Sequence, residues 1–327
     1  MAEALGRRGH RVSFAADPAA DLDVAYAVPG LRQVLRGNRA RLWETARANL
    51  DLTWQSPEII GHAAAWLADV GADVVVADHE PFVARAAVQA GVPVVALSHQ
   101  LVLTETRPRV PLRHLPSWLG TALGIGVLAP RRPAAAVVPS FFFPPLRPGS
   151  RATLVPPILR DDVLAAPVRD GDRVLVYVNA ADGMAPLLDA LAGVPADVYG
   201  LDPATPAPPG VRLHEPSRER FLGHLAAARA VVSTAGFTLL SEALHLGKPV
   251  LALPNRGFFE QAVNALALVD QGRGEAVWGR RVRSSDVAGF LSRAEAYRRP
   301  PDADGTAGRE RAADVIEGVL DEALVPA

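Results

Sequence analysis

Short runs of apolar residues, each bounded by Gly, Asp or Pro, recur along this chain between Ala-rich stretches, and this alternation restricts the fold more than any other feature. The clearest runs are RVSFAA, DVVVAD, PVVALS, AAVVPS, RVLVYVN, ADVYGL, AVVSTA and PVLALP. A strand that is apolar on both faces must be covered on both faces, which is the condition of a parallel sheet between layers of helices. Helices are predicted over SPEIIGHAAAWLADVG, PFVARAAVQAG, SRERFLGHLAAAR, LLSEALHLG and FFEQAVNALALVDQG. Most of these stretches close on a Gly, the residue that best adopts the left-handed stop of a helix. The fold class is α/β.

A chain of 327 residues is too long for one ordinary core and suits two. The Pro-rich text PPLRPGSRATLVPPILRDDVLAAP interrupts the alternation, which resumes at Arg173. Such a stretch is expected to cross between domains, giving an N-terminal domain over residues 1–155 and a C-terminal one over 156–327. Open α/β sheets bind ligands beyond the carboxyl ends of their strands. The cleft between two such sheets is therefore where a site is expected.

Composition removes several function classes. Basic and acidic residues number 34 and 35, mixed along the chain, for a net charge of -1, so the footprint of a nucleic-acid binder is missing. The absence of Cys excludes disulfides, thiolate zinc sites and a Cys nucleophile. The opening MAEALGRRGH has no apolar signal core, and no apolar run reaches the roughly 18 residues that span a bilayer; a cytoplasmic location is expected. The apolar segment 115–129, flanked by Arg107, Arg109, Arg113, Arg131 and Arg132, has two readings. It either makes a peripheral membrane contact or packs as an ordinary helix with solvated flanks.

Chemistry concentrates in AVVSTAGFTLLSEAL. Val231 and Val232 read as buried strand, Ser233 to Gly236 as a small-residue turn, and a helix follows at once. The free N–H groups and positive dipole end of such a helix suit a phosphate or diphosphate, although small residues at this kind of turn also serve packing alone. Glu242 lies further along the same helix. An ionised carboxylate only accepts hydrogen bonds, so it could hold a cis-diol such as a ribose, or it could be a solvated helix charge. After the next strand, Glu260 and Gln261 would stand at the mouth of the same cleft and could bond sugar hydroxyls, or could cap the helix.

Gly236, Ser241-Glu242-Ala243, Gly247, Pro249, Pro254, Glu260-Gln261 and Asn264-Ala265 resemble the donor-binding signature of GT-B glycosyltransferases, the group that includes the peptidoglycan enzyme using UDP-N-acetylglucosamine. The stretch Asp73 to Gln100 is similar to a branch of bacterial and archaeal GT-B proteins with a D-x-E-P turn and a later His-Gln. The resemblance implies two Rossmann-like domains facing across a cleft. It implies transfer of a sugar from a nucleotide sugar, UDP-linked or alternatively dTDP-linked, to an unidentified acceptor hydroxyl, the nucleotide sugar being a co-substrate and no cofactor being needed. Ser233, Thr234, Ala235, Gly236 and Phe237 would cradle the diphosphate, Glu242 the ribose, and Glu260 and Gln261 the sugar. Phe221 would pack the base, although its spacing to Gly236 is shorter than in related enzymes. The related fold stabilises its leaving group with helix dipoles, so no metal site is expected, and His62, His114, His214, His224 and His245 are read as structural. Transfer needs a base for the acceptor proton; Asp78, Glu80 and His99 all follow strand ends and are the candidates, with His79 beside them.

GT-B proteins begin with a strand and a Gly-rich loop, whereas MAEALGRRGHRVSF reads as the end of a helix, a Gly turn and a second strand. The N-terminal sheet is therefore expected to lack its first strand, through a start placed too late or through degeneration. Two further functions remain open: a sugar-nucleotide epimerase on the same fold, and a non-catalytic sugar-nucleotide-binding homologue.

Overall fold

A computed structural model describes residues 1–20, 22–32, 34, 42–111, 115–130, 132–178, 185–255, 257–279, 281–302 and 304–324. The strands are β1 (Phe14–Ala16), β2 (Val24–Ala27), β3 (Val75–Ala77), β4 (Val94–Leu97), β5 (Ala135–Pro139), β6 (Thr153–Val155), β7 (Val174–Tyr177), β8 (Ala196–Tyr199), β9 (Val211–His214), β10 (Ala230–Ser233), β11 (Val250–Ala252) and β12 (Gly274–Ala276). Every pairing between them is parallel. The first domain holds a sheet in the order β3-β4-β5-β6, and the second a sheet in the order β12-β11-β10-β7-β8-β9. Among the described residues β1 pairs with β2 alone and makes no ladder with β3, so the N-terminal strands form two sheets rather than one. The whole is a GT-B architecture of two Rossmann-like domains.

Successive side chains of the central strands enter opposite cores and are buried on both faces, as a doubly covered sheet requires. In the second domain Leu175, Val231 and Val250 enter one core, beside Leu225, Leu240 and Leu268 of the helices Arg218–Ala227, Phe237–His245 and Phe259–Asp270. Their neighbours Val174, Val176, Val232 and Leu251 enter the opposite core, beside Leu187 and Phe290. In the first domain Ala96 and Val138 face one way, Val95, Val137 and Val155 the other.

The last helix, Ala307–Leu324, departs from the division by sequence. It sets Ala312, Ala313, Ile316 and Val319 against Val95, Val137 and Val155 of the first sheet. The chain thus crosses to the second domain after β6 and returns after the helix Ser284–Tyr297. The apolar helix Leu115–Leu128 buries Ile125 and half-buries Trp118 in a cluster with Leu101, Phe259 and Val263, while Leu119 is exposed. No helix among the described residues is long and apolar enough to cross a membrane. Arg113, His114 and Arg131 lie outside the described residues.

Two neighbouring residues fix the turn between the helix Phe237–His245 and β11. Gly247 has φ 71°, and a Cβ there would strike the carbonyl of Arg299. Its Ala variant therefore meets both left-handed strain and a backbone clash, and a loss of about 2 kcal/mol or more is expected in urea denaturation. Lys248, the sole lysine of the chain, is fully buried, and its Nζ donates to the Arg169 carbonyl at 2.9 Å. Burial, helped by the charge of Arg298, lowers its pKa from 10.5 to about 8. The folded state then binds fewer protons than the unfolded chain between these values, so this group makes stability rise with pH across that window. Lys248→Met is expected to flatten that rise relative to wild type in denaturation series at successive pH values.

Candidate functional site

The order of the second sheet reverses between β7 and β10, the point at which open α/β sheets bind ligands beyond the carboxyl ends of their strands. The turn leaving β10 is made of small residues because the backbone must double back at once into a helix. Ser233, Thr234 and Ala235 are buried. Ala235 adopts φ 63°, a conformation that costs a non-Gly residue on the order of 1–2 kcal/mol. Two contacts hold it there: its N–H donates to Ser233 Oγ at 3.3 Å, and its carbonyl accepts from Asn264 Nδ2 at 3.2 Å. Gly236 is the N-cap of the following helix, and no side chain caps its first N–H groups. These free donors and the positive end of the helix make a place for an anion.

Glu242 is on that helix and only 4% exposed. Arg160, within the Pro-rich interdomain crossing, donates to it from Nε at 3.1 Å and from Nη2 at 2.9 Å, both to Oε1. Burial raises the Glu242 pKa and the Arg160 charge draws it back. Arg160 continues to Asp162, which also accepts from Arg218 on the next helix. The motif reading missed Arg160; the only available signal was a cation within the Pro-rich crossing.

Beyond β11 the helix Phe259–Asp270 carries Glu260, Gln261 and Asn264. Gln261 is buried, and its Oε1 accepts from the Asn255 N–H at 2.8 Å, so its carbonyl holds the loop that precedes the helix. Burial raises the Glu260 acid to about 7, with Asp78 adding to the rise and Asn264 opposing it. Asp78 belongs to the first domain, so its charge acts on Glu260 from the other side of the domain boundary.

The three base candidates are in different states. Glu80 caps the helix Pro81–Ala90, its two oxygens accepting from Phe82 N at 2.9 Å and Val83 N at 2.6 Å. Burial raises its pKa and these bonds oppose the rise. His99, buried after β4, has Nδ1 2.8 Å from the Pro139 carbonyl and Nε2 2.9 Å from Asn264 Oδ1. Its ring stacks on Phe237 with centroids 3.8 Å apart and planes at 8°. Burial lowers its pKa to about 4. Neither ring nitrogen is free to receive a proton from a substrate while these contacts stand. Asp78 is exposed, and among the described residues no hydrogen bond or ion pair holds its carboxylate. His79 beside it takes φ 52°, the sharp turn that delivers Asp78 and Glu80 from one strand end.

Phe221 is half-buried, edge-on to Tyr199 at 5.0 Å and to Tyr177 at 5.7 Å. Near it Asp197, His214 and His224 bring potential ligand atoms within 4.8 Å of one another. That cluster is closed by its own bonds. Asp197 accepts from Arg173 Nε at 2.7 Å and contacts His214 Nε2 at 2.8 Å, and Tyr199 reaches His224 Nδ1 at 2.9 Å. A cation would have to displace the Arg173 guanidinium first.

The chain is similar to the calicheamicin glycosyltransferase CalG4, with 21% identity, a TM-score of 0.60, and 98% of this chain and 94% of that one covered. It is similar to MurG of Acinetobacter baumannii, with 16% identity, a TM-score of 0.57 and coverage of 97% and 94%. Os79 of O. sativa, in complex with UDP and deoxynivalenol-3-glucoside, matches with 16% identity, a TM-score of 0.61 and coverage of 86% and 84%. No curated protein sequence matches. Residues 3–295 match glycosyl transferase family 1, and with the fold and this match in hand the chain belongs to glycosyl transferase family 1.

Proposed function

We propose that the protein moves a sugar from a uridine diphosphate donor to an acceptor hydroxyl, with the donor laid along the carboxyl ends of β10 and β11. The observation that carries this reading is Glu242, a carboxylate 4% exposed on the helix that opens at the Ala235–Gly236 turn. A turn with free N–H groups, then a buried acceptor, then Glu260 on the next helix match the phosphate, diol and hydroxyl groups of one ligand. Both Arg160 contacts fall on Oε1, and a ribose diol would take the other oxygen. The UDP bound to Os79 supports the choice of base.

In this reading the acceptor oxygen bonds to the anomeric carbon as the bond from that carbon to the diphosphate breaks. The hydroxyl proton goes to Asp78, and the charge gathering on the diphosphate is met by the N–H groups at the start of the helix Phe237–His245. Asp78 is preferred as base because Glu80 and His99 are held by their own hydrogen bonds.

Glu242→Ala is expected to weaken UDP binding by about 1–3 kcal/mol through the lost charged hydrogen bonds to the ribose. Unchanged affinity in calorimetry would sink the ribose assignment. Asp78→Asn is expected to lower kcat by about 10²–10⁴-fold while UDP affinity stays near wild type. Full turnover in that variant removes Asp78 from the chemistry. Incubation with a UDP-sugar and no acceptor distinguishes an epimerase, which converts the donor by itself.

A further inference from the structure

His99 is held between two acceptors contributed by different domains. The Pro139 carbonyl can only accept, so Nδ1, 2.8 Å away, carries a hydrogen. A neutral imidazole then has no hydrogen left for Nε2, which lies 2.9 Å from Asn264 Oδ1. The carboxamide is not free to turn over without loss, because its Nδ2 donates to the Ala235 carbonyl at 3.2 Å and its presence favours the ionised form of Glu260. Turned over, it would set an oxygen against both groups.

The three side chains therefore need one proton among them. With the proton on His99, Glu260 is ionised, Oδ1 accepts from Nε2, and Nδ2 keeps the Ala235 carbonyl. With the proton on Glu260, the carboxamide turns, donates to Nε2 and accepts from Glu260, and the Ala235 carbonyl loses its partner. With no proton, one bond of the bridge fails. Where the proton resides thus decides whether the strained Ala235 turn is held.

We propose that Asn264 is a positioning residue for the donor, joining the phosphate turn at Ala235 to His99 of the other domain through a bridge that shares one proton with Glu260. The role as a donor-positioning residue rests on the donor reading above; the proton count does not. Asp78 is the charged group that faces Glu260 from the first domain. The rings of Phe142 and Phe237 enclose His99.

Burial pushes His99 down to about 4 and Glu260 up to about 7, so between these values the proton belongs on Glu260. Because the Glu260 value in the folded protein is above the ordinary 4.5, its contribution to stability is complete below about 4.5 and is lost as pH rises through about 7.

The test is nitrogen-15 resonance of the histidine rings in the full, ligand-free chain, with His99 assigned by its loss in His99→Gln. A step in the His99 Nε2 shift is expected near pH 7 in wild type, and it is expected to vanish in Glu260→Gln and in Asn264→Ala. Wild type without a step between about pH 6 and 8, or an unchanged step in Asn264→Ala, overturns the bridge. UDP calorimetry is the second readout: with Glu260 ionised at pH 8 Nδ2 can hold the Ala235 carbonyl, so Asn264→Ala is expected to weaken binding about tenfold at pH 8 and by less at pH 6. Wild-type affinity in that variant overturns the positioning role. Failure of the wild-type chain to bind UDP while the His99 step is present would instead overturn the donor reading and leave the shared proton standing.

Discussion

A parallel strand has to pass the chain to a loop or helix at its carboxyl end, and its partners do so on the same edge of the sheet. That constraint gathers the chemistry of this protein. Asp78 and Glu80 follow β3, His99 follows β4, the Ala235 turn follows β10, and Glu260 follows β11. With the two sheets facing each other, ends that are far apart in sequence meet, as His99 and Asn264 do across 165 positions. The amino ends of the same strands are spent on packing, as Gly247 shows against Arg299. The return of the last helix to Val95 and Val155 adds a second covalent crossing between the domains, so their relative position is set at two places.

Strands buried on both faces were legible because nothing but a covered parallel sheet accommodates an apolar run such as PVVALS or PVLALP. Those that escaped notice are the strands whose sequence carries water-facing or uncommitted positions. β2 alternates between half-buried and exposed along VAYA, β9 reads VRLH, and β12 is three residues with a Glu at its centre. β6 hides in the Pro-rich crossing, where Thr153–Val155 adds the edge strand of the first sheet. The helices Ser284–Tyr297 and Ala307–Leu324 have many charges on solvated faces, and no motif marks them.

The candidate site divides in the same way. Glu242 and Glu260 could be placed from order alone, since each follows a strand and a turn. What could not be placed is any pairing made through space. Arg160 is 82 positions from Glu242, and a guanidinium within a Pro-rich crossing names no partner. Asn264 was visible as part of a motif but had no role until its amide was found between Ala235 and His99. Glu80 and His99 looked equivalent to Asp78 as groups at strand ends, and only their hydrogen bonds separate them.

The Arg160–Glu242 pair bears on how a donor could enter. A buried carboxylate with a bound guanidinium resists losing that partner, because either charge left alone in the low-dielectric interior is costly. Ribose hydroxyls are neutral and offer no replacement for Arg160. A diphosphate is different: it is anionic and gives a guanidinium oxygen acceptors of at least the strength of a carboxylate. On the proposed reading, the two ends of one ligand then act together. The phosphates offer Arg160 a second partner as the diol supplies Glu242 with donors, so neither charge is stranded at any stage. A nucleoside without phosphates would meet only the Glu242 oxygen that Arg160 leaves open and would bring no anion for the guanidinium. The ion pair thus favours nucleotide over nucleoside through the same side chain that meets the ribose.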